Sequence, residues 1–214
     1  MNVIERIGEI GIIPVIKIDT PEHAVPLARA LCEGGLPAAE VTFRSNAAEE
    51  SIRRIAKEVP EMLVIAGTVL DPATAEKAVR AGAQGIVSPG LNVETVRWCV
   101  KQNVPVIPGI ATPGELETAV REGLEVVKLF PAEVLGGVSM LKALAGPYAS
   151  VKIMPTGGVK PSNVREYLAQ KNLIACGGTW IVPGDLLAKE DFDGIRKLAA
   201  EAAAIRDEMR QKSG

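Results

Sequence analysis

Histidine, cysteine and aromatic residues are all scarce in this sequence of 214 residues. His23 is the only histidine, so a zinc site built from several histidines is impossible and a Ser-His-Asp triad could run only through this residue. Because His23 follows Pro21 and Glu22 where a helix begins, we expect it to be a solvated residue of the first helical turn. The three cysteines are odd in number and form no Cys-x-x-Cys motif, which is typical of a reduced, cytoplasmic protein.

Long hydrophobic runs and an excess of charge of one sign are also missing. No stretch reaches the about 18 uncharged apolar residues of a membrane span. Charges, Gly8, Gly11 and Pro14 interrupt the N-terminal segment, so we expect neither a membrane span nor a signal peptide there. The 24 basic and 26 acidic residues argue against nucleic acid or an anionic membrane as partners. The 47% of hydrophobic residues suffices for a sizeable core and excludes wholesale disorder.

Short β-branched runs recur along the chain, and a helical pattern follows each of them. Such alternation predicts parallel strands joined by right-handed crossovers. The strands begin at nearly uniform intervals, which favours an α/β fold of the (β/α)8 TIM barrel class over an open doubly wound sheet. The eight predicted strands are residues 12–18, 38–44, 63–69, 85–89, 104–110, 126–131, 152–157 and 173–178.

Both chain ends lie outside this repeat. We expect an extra helix at about residues 2–10, within the segment 1–11, to cover the floor of the barrel. The last helix spans about residues 191–209, and only residues 211–214 have the composition of a frayed tail. No linker or low-complexity segment divides the chain, which predicts one domain over residues 1–214. Chemistry in such barrels sits at the C-terminal ends of the strands, so polar residues within strands are the candidates for function.

Lys128 is a lysine inside the apolar strand VVKLFP. Burying a lysine is costly, so a purely structural role requires a carboxylate beside it. The functional interpretation is a desolvated, neutral amine that attacks a carbonyl group. Lys17, in the strand VIKID, competes for this role, whereas Lys152 is expected to reach solvent at a strand edge.

The second predicted strand places Glu40, Thr42 and Arg44 on one face, because side chains alternate along a strand. A structural interpretation is a polar stripe or an internal Glu–Arg ion pair. The outer face of a barrel strand is itself buried beneath helices, so the lumen suits three polar residues better. There Glu40 could move protons, and Arg44 could bind a substrate carboxylate through two hydrogen bonds.

Glycine pairs follow the last two predicted strands. Thr156 ends strand seven in PTGG, and the pair Gly157–Gly158 exposes consecutive backbone N–H groups to a ligand. A second pair precedes Thr179 after strand eight. The loops after strands seven and eight form the recurrent phosphate site of this fold. Thr68, at the end of strand three, could simply cap a turn, and Pro89 could line the mouth of the site.

Taken together, these residues resemble the 2-keto-3-deoxy-6-phosphogluconate (KDPG) aldolase / 4-hydroxy-2-oxoglutarate (KHG) aldolase family. The resemblance covers nearly the whole chain from about Ile12. Its specificity comes from the order of several motifs rather than from any one of them. The motifs are EVTFR, AGTV, VSPGL, IPGIATPGE, VKLFPAE, AGPY, MPTGGV and GGTWIVP.

The resemblance implies a class I aldolase that needs neither a metal nor a cofactor and cleaves a 2-keto-4-hydroxy acid to pyruvate and an aldehyde. It implies that Lys128 forms the Schiff base and that Glu40 moves the proton. The implied substrate-binding residues are Arg44, Thr68, Pro89, Phe130 and Thr156. The implied phosphate-binding residues are Gly157, Gly158 and Thr179. Lys17 is a further candidate for phosphate or carboxylate binding from its own position, the alternative being a lysine that only extends to solvent at a strand end. The family also implies a cytoplasmic homotrimer of Entner–Doudoroff carbohydrate metabolism.

Two departures from the family pattern concern the phosphate end. Thr179 replaces a common serine and adds a methyl group, and Lys17 stands where relatives vary. The preferred substrate among KDPG, its galacto-epimer and KHG therefore stays open. Two other classes of protein remain as alternatives: a phosphosugar isomerase or epimerase on the same barrel, and a non-catalytic scaffold derived from an aldolase.

Overall fold

Short parallel strands alternate with helices throughout residues 1–212, the part of the chain that the computed structural model describes. The strands are β1 (Ile12–Ile16), β2 (Ala38–Thr42), β3 (Leu63–Gly67), β4 (Ile86–Val87), β5 (Val106–Ile107), β6 (Gly109–Ile110), β7 (Val126–Leu129), β8 (Lys152–Pro155) and β9 (Cys176–Gly178). The helices are α1 (Val3–Ile10), α2 (Ala24–Glu33), α3 (Ala48–Glu58), α4 (Pro72–Arg80), α5 (Val93–Lys101), α6 (Pro113–Arg121), α7 (Gly137–Ala145), α8 (Val164–Leu168), α9 (Gly184–Ala188) and α10 (Phe192–Gln211).

The strands close into a barrel. Six of them form a parallel sheet in the order β5-β4-β3-β2-β1-β9, and the other three pair in the order β6-β7-β8. Two isolated bridges, Ile153 with Leu173 and Thr156 with Gly177, join β8 to the segment around β9. Because β5 and β6 follow each other directly, the two sheets form one ring, which confirms the predicted (β/α)8 class.

Proline accounts for the main difference from the predicted strands. Residues 104–110 form two short strands, β5 and β6, on either side of Pro108. Proline has no N–H group to donate to the ladder, so regular pairing stops there. The carbonyl oxygen of Pro108 still accepts the N–H of Lys128 at 2.8 Å, which keeps the two sides of the ring together.

Helix α1 covers the N-terminal end of the barrel, as predicted. It begins with a capping box in which the Asn2 side chain and Glu5 bond each other's backbone N–H groups. The side chains of Val3 and Ile7 border the same small cavity as Ile65 of the lumen. The barrel is therefore closed by apolar residues at this end, and the opposite end is the one open to a ligand.

Helix α10 packs mainly against α2 and extends two residues beyond the predicted end, to Gln211. Arg210 of this helix donates to the carbonyl oxygen of Gly8 at 2.9 Å, near the end of α1 where carbonyl groups lack helical partners. Of the predicted tail 211–214, residues 213–214 lie outside the described residues. No helix among residues 1–212 has the length and the apolar composition that crossing a membrane requires.

Candidate active site

Lys128 and Glu40 meet inside the barrel. Lys128 lies on β7 and Glu40 on β2, on opposite sides of the ring, and the Lys128 Nζ donates to Glu40 Oε1 at 3.0 Å. Their side chains are 5% and 1% exposed. The ring centre of Phe130 lies 5.4 Å from the same Nζ. A contact across the ring is possible only if both side chains point inward, so the lumen holds an amine beside a carboxylate.

Two buried oxygen atoms near this pair lack partners. Within residues 1–212, Glu40 Oε2 and Thr156 Oγ1 make no hydrogen bond. An unsatisfied buried polar atom costs about 1–3 kcal/mol. Thr156 follows β8, whose Met154 pairs in register with Lys128, so it stands one layer above the lysine. The unpaired atoms therefore mark a place where a ligand or water can be hydrogen-bonded.

Two glycine residues make room for the side chains of Glu40 and Thr156. A Cβ added at Gly67, the last residue of β3, would lie 2.4 Å from Glu40 Oε1. A Cβ added at Gly177 would lie 2.2 Å from Thr156 Oγ1. Gly67 was not among the sequence candidates, although its place at the end of a strand in the AGTV motif was a usable signal. Each glycine lets a polar side chain lie flat against the neighbouring strand.

The predicted pyruvate-binding residues line the C-terminal end of the barrel. Thr68 follows β3 and is half-buried with φ at +58°, which is rare for a β-branched residue and strained. Pro89 follows β4 and is also half-buried. Its carbonyl oxygen would lie 2.1 Å from a Cβ added at Gly109, so the β4 and β6 ends approach closely.

Arg44 lies two residues beyond the end of β2 and is exposed. Its Nε donates to Thr42 Oγ1 at 3.1 Å, and the Thr42 hydroxyl donates to the carbonyl oxygen of Ile16 at 2.8 Å. Thr42 is buried on the same strand face as Glu40. The predicted polar face of β2 therefore has its two inner members buried and its outermost member at the mouth of the barrel.

The predicted phosphate-binding residues lie at the same end. Gly157 and Gly158 have φ angles of +97° and +84°, which favour glycine. Thr179 is exposed after β9, and within residues 1–212 neither its backbone N–H nor that of Gly158 has an acceptor. Lys17 is exposed after β1 and forms an ion pair with Asp19 at 2.8 Å. Lys17 thus lies at the rim, whereas Lys128 is the lysine inside the lumen.

Glu133 and Tyr167 support the turn formed by Gly157 and Gly158, here called the glycine turn. Neither residue was among the sequence candidates. The Tyr167 hydroxyl, on a fully buried side chain of α8, donates to Glu133 Oε1. The backbone N–H of Glu133 donates to the Gly157 carbonyl at 3.0 Å. A Cβ added at Gly158 would lie 2.4 Å from Glu133 Cγ. Burial, followed by the contact with Glu133, raises the pKa of Tyr167.

His23 corrects one expectation. It ends a short 3₁₀ turn, Pro21–His23, but its side chain is only 16% exposed rather than solvated. Its Nε2 lies 3.2 Å from Glu190 Oε1, and its ring meets the edge of Phe192. These partners come from the other end of the chain, so local sequence did not indicate them. Lys152 reaches solvent as predicted and donates to the Lys171 carbonyl.

Comparison with known proteins gives the family of this chain. The model of the "KDPG and KHG aldolase" family matches residues 3–198. The KHG/KDPG aldolase of Escherichia coli K12 is 48% identical over 191 residues, which cover 89% of this chain and 90% of that one.

Two solved structures are similar over 94% of this chain. The KDPG aldolase of Legionella pneumophila, with pyruvate captured at low pH as a covalent carbinolamine intermediate, has a TM-score of 0.90 and 36% identity over 97% of its chain. The KDPG aldolase of Zymomonas mobilis with 3-phosphoglycerate has a TM-score of 0.89 and 37% identity over 95% of its chain.

The barrel fold together with the match to aldolases defines this chain as an enzyme of the lyase class. This chain belongs to the KDPG and KHG aldolase family. Within residues 1–212, no three His, Cys, Asp or Glu side chains are grouped so as to hold a metal ion.

Proposed function

We propose that this chain cleaves KDPG to pyruvate and glyceraldehyde 3-phosphate, KHG to pyruvate and glyoxylate, or both, through a Schiff base on Lys128. The observation that carries this proposal is the contact of 3.0 Å between Lys128 Nζ and Glu40 Oε1 in the lumen. A lysine beside a carboxylate supplies both a nucleophile and a proton acceptor. The carbinolamine of the Legionella relative is an adduct of the kind that such a lysine forms with pyruvate.

In the proposed mechanism, Glu40 accepts a proton from the Lys128 ammonium, and the neutral amine attacks the keto carbon C2. Glu40 returns this proton to the carbinolamine hydroxyl, which leaves as water, so a protonated imine remains and Glu40 is again a carboxylate. Glu40, directly or through a water molecule, then removes the proton of the C4 hydroxyl. The C3–C4 bond breaks, the aldehyde leaves, and the electron pair is stored as an enamine. Protonation of C3 and hydrolysis of the imine release pyruvate and restore the amine.

The remaining residues would hold the substrate around Lys128. Arg44 and Thr68 bind the carboxylate of the keto acid, and Pro89 and Phe130 form the apolar wall. Support comes from the position of all four at the C-terminal end of the barrel, where this fold places its active sites. Thr156 contacts the C4 hydroxyl or the aldehyde, which would satisfy its unpaired Oγ1.

A phosphate at the far end of the substrate would be bound by Gly157, Gly158, Thr179 and Lys17. The unpaired backbone N–H groups of Gly158 and Thr179 support this role because phosphate oxygens accept such hydrogen bonds. Asp19 competes for Lys17 through their ion pair, so the lysine must exchange one anion for another. The choice between KDPG and KHG would be made at this end.

We also propose a cytoplasmic homotrimer that acts in Entner–Doudoroff carbohydrate metabolism. Support for the assembly is the family resemblance, together with apolar side chains exposed at the C-terminal end of the barrel. Leu70 and Val134 are 58% and 82% exposed. Light scattering coupled to size-exclusion chromatography tests the trimer, and a mass of one subunit would overturn it.

Borohydride reduction in the presence of pyruvate tests the proposed function. We expect one reduced adduct, located on Lys128 by peptide mapping. Lys128→Met should lose the adduct and turnover, whereas the matched variant Lys17→Met should keep both the adduct and the cleavage of KHG. An adduct on Lys17 would overturn the site assignment, and no adduct with well-folded protein would overturn the function.

Glu40→Gln separates the two roles in this site. The amide cannot accept the proton of the C4 hydroxyl, so turnover should fall by about two or more orders of magnitude. The imine should still be trapped on longer incubation, since Lys128 is intact and water can accept its ammonium proton in place of Glu40. A normal kcat in Glu40→Gln would place the proton transfer on another group.

A further inference from the structure

Thr42 joins the end of β1 to the guanidinium group of Arg44. Its side chain is 1% exposed, and its Oγ1 lies 2.8 Å from the carbonyl oxygen of Ile16 and 3.1 Å from Arg44 Nε. The proposed mechanism assigns no step to this hydroxyl group. Because this buried hydroxyl bonds both groups, it can set the orientation of the Arg44 side chain at the mouth of the barrel.

The chemistry of the three groups determines the direction of both hydrogen bonds. A carbonyl oxygen can only accept, and the Nε–H of an arginine can only donate. The single proton of the Thr42 hydroxyl therefore goes to Ile16, and a lone pair of the same oxygen accepts the Nε–H of Arg44. The backbone carbonyl fixes the orientation of the hydroxyl, and the hydroxyl in turn fixes the guanidinium.

This contact decides where the Arg44 side chain points. Arg44 lies in a turn beyond β2, where the alternation of the strand no longer sets side-chain direction. Among residues 1–212, Thr42 is the only hydrogen-bonding or ion-pair partner of this guanidinium. Thr42 faces the lumen, so the bond draws the guanidinium over the barrel mouth. With Nε occupied, the two terminal Nη groups remain for a carboxylate.

We propose that Thr42 is a positioning residue that holds Arg44 so that both Nη groups meet the carboxylate of the keto acid. The inference rests on the proposed role of Arg44. It predicts end-on binding of the carboxylate to the two Nη groups, because the side-on mode needs the Nε–H that Thr42 already accepts. The effect of Thr42 is therefore on the affinity for the keto acid and not on the chemical step.

The first test compares Thr42→Val with Thr42→Ser and with the matched control Thr95→Val. Thr95 of α5 is likewise 1% exposed, but its hydroxyl has no partner within residues 1–212. The readout is the pyruvate concentration that gives half-maximal borohydride trapping. We expect Thr42→Val to raise this pyruvate concentration on the order of tenfold, which corresponds to a loss of about 1.4 kcal/mol in binding free energy. The limiting rate of trapping should stay unchanged, and Thr42→Ser and Thr95→Val should match the wild type.

A double-mutant cycle with Arg44→Met separates positioning from a general effect on the fold. In the Arg44→Met background, Thr42→Val should cause no further change, because its effect passes through the guanidinium. An equal change in both backgrounds, or a wild-type pyruvate requirement in Thr42→Val, would overturn the inference. If Thr42→Val does not fold, Thr42→Cys supplies a weaker hydrogen-bonding group of similar shape for the same cycle. Absence of trapping in the wild type would instead refute the proposed function.

Discussion

Adding one methyl group at Gly67 displaces the carboxylate of Glu40. The new Cβ would lie 2.4 Å from Oε1, 2.6 Å from Cγ and 2.9 Å from Cδ of Glu40, whereas ordinary contact begins at 3.4 Å. The carboxylate must therefore move by about 1 Å. Gly67 ends β3 directly before the strained Thr68, so the backbone there has little freedom to retreat. Gly67→Ala thus perturbs Glu40 without changing its chemistry.

The size of the effect follows from this displacement. A shift of about 1 Å breaks the contact of 3.0 Å with Lys128 Nζ, a charge-assisted hydrogen bond of a kind worth about 1.5–3 kcal/mol. Crowding in a packed interior costs about 1–3 kcal/mol, in part through the same movement. We expect the free energy of unfolding to fall by about 2–4 kcal/mol. A misplacement of about 1 Å at a reacting group lowers turnover about hundredfold.

The assay measures kcat for KDPG and KHG, and the melting temperature, in Gly67→Ala and in Gly114→Ala. Gly114 is the matched control because it lies in the first turn of α6 with no atom within 4 Å of an added Cβ. Alanine favours a helix over glycine, so Gly114→Ala should gain about 0.5–1 kcal/mol and keep its activity. A folded Gly67→Ala enzyme with wild-type turnover would refute the argument that the position of the Glu40 carboxylate matters.

Three further perturbations test other parts of the structure. Tyr167→Phe frees Glu133 and loosens the glycine turn, so KM should rise about tenfold for KDPG and stay unchanged for KHG; equal changes for both would refute the brace. Burial raises the pKa of Cys99 from 9.0 to about 11, so its contribution to stability is complete below pH 9 and is lost as the pH rises through 11. Cys99 should contribute a slope of up to about 1.4 kcal/mol per pH unit to urea unfolding in that window. Cys99→Ala should remove this share and leave those of Cys32 and Cys176, whose pKa burial also raises. The double variant Lys128→Met/Glu40→Leu replaces the buried ion pair by apolar side chains, so its free energy of unfolding in urea should be equal to or higher than that of the wild type. Lys128→Met alone leaves Glu40 unpaired and should lower the free energy of unfolding by about 3–5 kcal/mol.

Local sequence was sufficient to predict the barrel and to make Lys128 and Glu40 candidates for the site, whereas the preference for Lys128 over Lys17 came from the family resemblance. Apolar runs at regular intervals predicted the ring, because each strand in a parallel barrel is buried on both faces. That same burial made Lys128 and Glu40 conspicuous as charged residues within strands. Pro108 was visible in the sequence too, but whether it ends the strand or only interrupts it depends on pairing with both neighbours.

Contacts between distant segments could not be predicted in this way. His23 is shielded by Glu190 and Phe192, which lie more than 160 residues further along the chain. The need for glycine at position 67 depends on the register of β2 against β3, which pairs Thr42 with Gly67 and brings Glu40 alongside. Such requirements arise from packing across the ring, and a periodic pattern carries no information about them.

The polar layer of the lumen is better explained by binding than by stability. Ile65 pairs in register with Glu40, and Met154 pairs in register with Lys128, and both are buried apolar residues. Apolar side chains would therefore be expected at positions 40 and 128 as well. Instead, a buried ion pair lies there, together with the unpaired oxygens of Glu40 and Thr156. A buried ion pair is weak evidence for a stabilising role. A ligand that supplies their missing hydrogen bonds binds only the folded chain. Ligand binding therefore raises the free energy of unfolding by an amount that grows with ligand concentration, and this offsets the cost of burying the polar layer.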